Sequence, residues 1–257
     1  MSDPRIELVI DNCIARLTLR RPEKLNAIDA DMIDALLQAC RAIERSDARV
    51  AILSGEGGRS FCAGGDIEAW SRLDAEAFSR RWLRDGHDAF NALARLTVPL
   101  IAVLNGHALG GGLELAACAD LRIAEAHVKI GQPEPGLGII PGWSGTQRVA
   151  RRFGAQLVRR MALFGEVYTA EQALALGLVD QVVATGEGQA AADAAAARVL
   201  QRSPRATELT KMLINAAEGE ENERVVDALA GAAAAASVDL SEGLAAYRQK
   251  RPPRFGA

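Results

Sequence analysis

Hydrophobic and polar positions in the N-terminal part of the chain change between the strand and the helical periodicity. Residues 6–10 and 14–19 are rich in large apolar side chains, and an Asp-Asn turn signal separates them. Apolar residues within 31–44 recur at helical spacing instead, and residues 50–53 form a short apolar run. This order predicts a hairpin, then an amphipathic helix, then a buried strand.

The alternation continues further along the chain. A helical stripe of aromatic and apolar residues occupies 74–96, and a short apolar helix is predicted at 113–119. Short apolar runs at 100–104, 121–124 and 128–130 predict further strands. The pattern indicates an α/β architecture in which some units are strand–strand–helix, an order that does not give a simple doubly wound sheet.

Helical patterns dominate after Gly142. One strand is predicted at 178–183, and Thr169 with a glutamine three residues later fits a capping box at a helix start. The alanine-rich stretches 190–197 and 232–236 are helix formers rather than disordered linkers.

A soft domain boundary is predicted near residue 200. Ser203 and Pro204 favour a helix break followed by a new helix start. We therefore expect a main unit over 1–200 that carries the chemistry, and a helical C-terminal segment over 201–257.

Composition narrows the class of protein. The 257 residues are 49% hydrophobic with a net charge of −3, so a large core is available and no basic excess suggests a nucleic-acid or membrane-surface partner. Four cysteines without a CxxC pair, and only three histidines, argue against a zinc site. No apolar run approaches the roughly 20 residues of a membrane helix, so a cytoplasmic setting is expected.

Three glycine-rich loops follow apolar, strand-like sequence, at 63–66, 106–112 and 136–142. Glycine permits a positive φ and removes the Cβ that would keep a ligand from the backbone. A tight turn is the commoner interpretation of any one such loop. The second loop is the more informative one, because it precedes a short helix whose free N–H groups and dipole favour binding of an anion.

Glu114 lies in the first turn of that short helix among apolar residues. It is either a buried functional carboxyl or a surface glutamate that the helix dipole favours. Burial would raise the pKa of Glu114 and the helix N-terminus would lower it, and the sequence leaves the balance open.

Glu134 is held between two prolines in an otherwise neutral, apolar loop. An isolated carboxylate in a rigid apolar setting is a candidate acid or base with a raised pKa. An exposed turn residue is the alternative interpretation.

Several segments taken in order resemble the enoyl-CoA hydratase/isomerase (crotonase) family. They are RPEKLNA at 21–27, FCAGGDI at 61–67, NGHALGGGLE at 105–114, GQPE at 131–134 running on to PGWSGTQR at 141–148, SEG at 241–243 and KRP at 250–252. The similarity extends over nearly the whole chain. It implies a crotonase-type spiral of repeated ββα units with a helical C-terminal region.

The resemblance also implies a chemistry, the syn addition of water to a 2-enoyl-CoA that gives a 3-hydroxyacyl-CoA. The N–H groups of Gly65 and Gly111 would hold the thioester oxygen and stabilise the enolate-like anion. Glu114 and Glu134 match the two carboxylates of the family's hydratases and would orient one water. The N–H of Gly142 would lie near Glu134.

The implied ligand is acyl-CoA, with no metal and no cofactor beyond the CoA of the substrate. Lys24, and Lys250 from a neighbouring subunit, would meet the CoA phosphates, although an ordinary solvated lysine is an alternative for both. The helical C-terminal region implies a homotrimer or a dimer of trimers. The substrate-binding set is Lys24, Ala27, Ala63, Asp66, Ile67, Gly142 and Lys250.

The chain departs from the family pattern in the region that borders the acyl group. Trp143 and Ser144 replace the small residues that usually follow Pro-Gly, and residues 68–91 match no family pattern. Three alternatives therefore stay open: a Δ3,Δ2-enoyl-CoA isomerase, a hydratase for a branched or aromatic acyl-CoA, and a non-catalytic binding protein on the same fold.

Other enzyme classes fit less well. The glycines at 136, 138 and 142 give GxGxxxG rather than the dinucleotide-binding GxGxxG, and no GxxxxGK[ST] occurs. The run GWSGT at 142–146 lacks the final glycine of the serine-hydrolase GxSxG.

Overall fold

The computed structural model describes residues 3–255, apart from the side chains of 223 and 224. The first two residues of the predicted unit 1–200 and the last two of the segment 201–257 lie outside this range. The strands are β1 (Ile6–Asp11), β2 (Ile14–Leu19), β3 (Val50–Gly55), β4 (Ser60–Cys62), β5 (Leu100–Leu104), β6 (His107–Leu109), β7 (Leu121–Glu125), β8 (Lys129–Gly131), β9 (Val167–Thr169) and β10 (Gln181–Val183).

Helices follow most strand pairs. They are α1 (Ala30–Glu44), α2 (Ile67–Trp70), α3 (Ala75–Ala77), α4 (Arg84–Ala94), α5 (Gly111–Ala116), α6 (Arg148–Phe153), α7 (Ala155–Phe164), α8 (Ala170–Ala175), α9 (Gly188–Leu200), α10 (Pro204–Ala217), α11 (Asn222–Ala235) and α12 (Val238–Gln249). A π-helical segment, Phe78–Leu83, joins α3 to α4, and 3-10 turns occupy Pro22–Lys24 and Glu134–Leu137.

Two sheets organise the strand–strand–helix units. The larger sheet has the order β1-β2-β3-β5-β7-β10, and its pairs are parallel except for the β1–β2 hairpin. The smaller sheet has the order β4-β6-β8-β9. From β3 to β8 the first strand of each pair joins the larger sheet and the second joins the smaller one, whereas β9 joins the smaller sheet and β10 the larger. The predicted α/β architecture of repeated ββα units is thus confirmed.

The central strands β3 and β5 are buried on both faces, which explains their uninterrupted apolar sequence. Val50, Ile52, Ile101 and Val103 point towards alanines of α9 in one apolar cluster. The alternate residues of both strands join the main core, together with residues of α1 and α4. The sheet is therefore covered by helices on both sides.

Some predicted elements differ from the observed ones. The helix predicted at 74–96 is interrupted by the π-helical segment, in which Trp82 is the buried residue. The strand predicted at 178–183 begins only at Gln181, and β6 was not predicted, because three residues between glycines are too short for a periodic signal. The capping box at Thr169 is confirmed, with the Gln172 side chain completing it.

The chain divides into two contact units, Met1–Lys211 and Met212–Ala257. The first contains both sheets. The second contains the end of α10 with α11 and α12, and Ser237 caps α12 by accepting the N–H of Leu240. The predicted boundary near residue 200 and the oligomerisation role of the C-terminal segment stay predictions. Within residues 3–255, no helix combines the length and apolar character that a membrane crossing requires.

The turn between β5 and β6 requires glycine for space. A Cβ on Gly106 would lie 2.4 Å from the backbone nitrogen of Ser60 and 2.6 Å from its Cα. We predict that Gly106→Ala lowers the free energy of unfolding by about 1–3 kcal/mol, measured by urea denaturation, because backbone atoms must shift. Gly136→Ala is the control, since a Cβ there meets no atom within 4 Å. Equal midpoints for the two variants would contradict this account.

Candidate active site

A cavity of about 90 Å³ opens where three parallel strands of the smaller sheet end. The segments that follow β4, β6 and β8 supply one wall, through Ala63–Gly65, Gly110–Gly111 and Pro133–Glu134. The carboxyl ends of parallel strands are where α/β sheets commonly bind ligands. The opposite wall is apolar and consists of Ile67, Trp70, Phe78, Trp82, Leu83, Leu137, Ile139, Ile140 and Trp143.

The glycine loops after β4 and β6 touch through their backbones. A Cβ on Gly64, whose φ is +96°, would lie 3.0 Å from the nitrogen of Gly111. A Cβ on Gly112 would lie 1.9 Å from the carbonyl oxygen of Cys62, so no side chain fits there. The glycines that the sequence singled out are required for this approach.

Gly65 and Gly111 both line the cavity. Gly111 is the first residue of α5, where N–H groups have no partner within the helix. Within the described part of the chain, neither residue's N–H donates to another backbone carbonyl. The arrangement leaves two backbone donors for a ligand oxygen.

Glu114 projects from α5 and is 2% exposed. Its Oε1 accepts the backbone N–H groups of Trp143, at 2.7 Å, and Gly145, at 2.5 Å. Burial, with the nearby Glu134 carboxylate, raises the pKa of Glu114 to about 8, although those two N–H groups act in the opposite direction. Burial therefore wins the balance that the sequence left open.

Glu134 begins the 3-10 turn after β8. Both of its carboxylate oxygens are buried, and neither has a hydrogen-bond partner among the described residues. Burial raises the pKa of Glu134 to about 7. A Cβ on Gly110 would lie 2.9 Å from Oε1 of Glu134, so the glycine at 110 gives this carboxylate its room.

Gln132 is a buried polar residue that the sequence did not single out. It is 0% exposed, and neither its Nε2 nor its Oε1 has a partner in the described part of the chain. A Cβ on Gly145 would meet both Nε2 of Gln132, at 2.0 Å, and Oε1 of Glu114, at 2.7 Å. The Gln132 amide therefore lies beside the Glu114 carboxylate. The sequence signal that could have identified Gln132 is its position in the same short motif as Glu134.

The other candidate residues lie at different distances from the cavity. Ala63, Ile67 and Gly142 line it, whereas Ala27 and Asp66 do not. Asp66 caps α2 and its carboxylate pairs with Arg21 at 2.8 Å, so its side chain has a structural role.

The two candidate lysines are both exposed. Lys24 pairs with Glu68 at 2.6 Å. Lys250 belongs to the second contact unit and caps α12 with a φ of +53°.

One group of carboxylates lies close enough together to hold a cation. It comprises Asp3, Asp29 and Asp31. Arg5 already pairs with Asp3 and Asp29, and the Arg5 guanidinium lowers the pKa of Asp3. Arginine thus supplies the positive charge at this group, and nothing in its geometry calls for a metal.

Comparison with known proteins identifies the family of the chain. The sequence model of the enoyl-CoA hydratase/isomerase family matches residues 9–257. The crotonyl-CoA hydratase of Syntrophomonas wolfei is 34% identical over 258 residues, which is 99% of each chain. The short-chain-enoyl-CoA hydratase of Clostridium acetobutylicum is 37% identical over 203 residues, covering 79% of this chain and 77% of the relative.

The fold is also shared with a solved structure. The enoyl-CoA hydratase from Bacillus anthracis matches with a TM-score of 0.80 and 29% identity, over 98% of both chains. The family match and the structural match both extend over nearly the whole chain, and they agree with its ββα core. The chain therefore belongs to the enoyl-CoA hydratase/isomerase family and is a crotonase-fold enzyme of the hydro-lyase type.

Proposed function

We propose that this enzyme adds water across the C2–C3 double bond of a 2-enoyl-CoA thioester and forms a 3-hydroxyacyl-CoA. The observation that carries the proposal is the presence of two buried carboxyl groups in one cavity with two available backbone donors. Hydration needs both features, since water must lose a proton, C2 must gain one, and the thioester must accept negative charge in between.

The backbone donors stabilise that charge. The N–H groups of Gly65 and Gly111 bind the thioester oxygen, and their bonds strengthen as the enolate forms. One such donor contributes about 3 kcal/mol to transition-state stabilisation. The protein pays little to reorganise at that moment, because both amides are held by the glycine contacts between the two loops.

The two carboxyl groups handle the water. Together Glu114 and Glu134 orient one water molecule, whose hydroxyl adds to C3 while a proton is delivered to C2 from the same face. This gives syn addition. Raised pKa values suit the task, because groups that titrate near neutral pH can both accept and return a proton. The unpartnered oxygens of Glu134 are free to bind that water.

The same proposal also assigns residues to the CoA part of the substrate. Lys24, with Lys250 from a neighbouring subunit, contacts the CoA phosphates. Ala27, Ala63, Asp66 and Ile67 line the path of CoA through their backbone groups, and Gly142 lies beside Glu134. A homotrimer or a dimer of trimers is the assembly that would bring Lys250 of one subunit to the site of another.

Both carboxyl groups should be required. We predict that Glu114→Gln and Glu134→Gln each lower kcat for crotonyl-CoA by at least about 10²-fold, followed as loss of the conjugated absorbance. Binding of CoA should persist, because neither glutamate is proposed to contact it. Glu76→Gln is the control, since that side chain is 71% exposed on α3. Near-normal hydration by either site variant would rule out the two-carboxylate mechanism.

Stability should depend on pH through Glu114. Its pKa is about 8 in the folded protein against 4.5 in the unfolded chain, so rising pH removes its proton from the unfolded state first. We predict that Glu114→Gln gains stability relative to the native enzyme by up to about 1.4 kcal/mol per pH unit between pH 5 and 8, measured by urea denaturation. Glu76→Gln should differ from the native enzyme by a constant amount. A constant difference for Glu114→Gln as well would show that Glu114 keeps its ordinary pKa.

The Lys24–Glu68 ion pair should compete with CoA. We predict that Lys24→Ala raises KM for crotonyl-CoA several-fold with little change in kcat, whereas Glu68→Gln lowers KM by freeing the lysine. Both effects should weaken as ionic strength rises, because the groups are exposed. The same direction of change in both variants would show that Lys24 does not bind a phosphate.

A further inference from the structure

We propose that Trp143 is the end wall of the acyl cavity and restricts the enzyme to short-chain 2-enoyl-CoA thioesters. The inference rests on the proposed hydration and names the substrate class that the same site selects. It follows from how the indole is seated, how it is held there, and how much room remains beside it.

The indole packs against three glycines, and at Gly86 the absence of a side chain is required for it to fit. A Cβ on Gly111 would lie 3.1 Å from Cε3 of Trp143, and one on Gly65 would lie 3.3 Å from Cη2. A Cβ on Gly86 would lie 2.0 Å from Nε1. The ring therefore lies directly beside the two glycines that hold the thioester oxygen.

Gly86 is informative because it belongs to α4, where glycine is unfavourable by about 1 kcal/mol relative to alanine. The helix alone would favour a larger residue at this buried position. The Trp143 ring explains the glycine, since no other residue type leaves room for Nε1.

The indole is also fixed in place. Its Nε1–H donates to the carbonyl oxygen of Trp82 at 3.2 Å, and the rings of Trp82 and Phe90 pack against it at centroid distances of 5.0 and 5.1 Å. Its own backbone N–H donates to Glu114. With 3% exposure, the side chain is buried in close packing.

The remaining volume matches a short acyl group. The cavity holds about 90 Å³. A phenyl ring does not fit, because benzene binds in cavities of about 150 Å³. The volume thus favours a crotonyl-like substrate over a long-chain or aromatic one.

The test compares how kcat/KM depends on acyl-chain length in the native enzyme and in variants of Trp143. We expect kcat/KM of the native enzyme to fall about tenfold or more from the four-carbon to the eight-carbon 2-enoyl-CoA. Trp143→Ala should reverse or abolish that ratio, and Trp143→Phe should shift it in the same direction by less. Absolute rates are not the readout, because the backbone of Trp143 also binds Glu114. Equal ratios in the native enzyme and in whichever of the two variants folds would overturn the inference.

Trp70→Ala provides the matched control. Trp70 lines the same cavity but is only half-buried; it packs edge-on against Phe78, and it approaches Gly65 but neither Gly86 nor Gly111. The variant should leave the chain-length ratio unchanged. A gain of long-chain activity in Trp70→Ala, without one in Trp143→Ala, would place the acyl tail on the other side and overturn the inference.

A second variant tests the packing of the indole against Gly86. Gly86→Ala should push the indole into the cavity and lower kcat/KM even for crotonyl-CoA. The double variant Gly86→Ala/Trp143→Ala should recover part of that loss, because the ring that the Cβ strikes is gone. If the losses of kcat/KM in the two single variants simply add in the double variant, the contact between Gly86 and the Trp143 ring would not explain the effect.

Binding separates failure of the wall from failure of the proposed reaction. Calorimetric titration with butyryl-CoA and octanoyl-CoA reports the cavity without any turnover. One outcome is that the native enzyme binds butyryl-CoA more tightly than octanoyl-CoA, that Trp143→Ala loses this preference, and that the native enzyme hydrates neither chain length. That outcome would contradict the proposed reaction and support the role of Trp143 as the end wall. If the native enzyme hydrates 2-enoyl-CoA thioesters but shows no chain-length preference in binding or in rate, only the role of Trp143 as the end wall would be contradicted.

Discussion

The backbone contact between the loops after β4 and β6 is the constraint on which the site depends. Gly64 and Gly111 approach until a Cβ on either would lie 3.0 Å from the other's backbone. The approach brings the backbones of Gly65 and Gly111 to the lining of one cavity. Parallel pairing of β4 with β6 and of β6 with β8 sets this position, because it brings the loops after all three strands to the same edge.

A second constraint is the burial of negative charge. The Glu114 and Glu134 carboxyls lie near each other in a mostly apolar cavity, and among the side chains that the structure describes no basic group donates a hydrogen bond to either of them. Burial is therefore the main cause of the raised pKa at both positions. Such groups disfavour folding as pH rises, yet the same property makes them suited to exchange protons with water near neutral pH.

The aromatic side of the cavity joins the two constraints. Trp143 donates its backbone N–H to Glu114 and places its ring beside Gly65 and Gly111, so a single residue contacts both the proposed acid–base group and the proposed oxyanion site. The π-helical segment before α4 contributes Trp82, whose carbonyl oxygen receives the indole N–H. Extra-residue turns of this kind recur near functional sites in helices. The shape of the proposed acyl cavity thus depends on the π-helical segment and on Trp143, which lie far apart in sequence.

The sequence by itself determined the alternation of strands and helices, the α/β class and the three glycine loops, because these depend on local periodicity and on residues that act through their own backbone. It also singled out Glu114 and Glu134, since a carboxylate among apolar neighbours is visible in the linear order. Only the tertiary structure decided that burial outweighs the N–H donors at Glu114, and that Gln132, whose amide has no partner within the described residues, lies beside it. Only the tertiary structure showed that Gly86 makes room for Trp143, which lies 57 positions further along the chain. These outcomes depend on distances between segments far apart in sequence, and no local pattern records such distances.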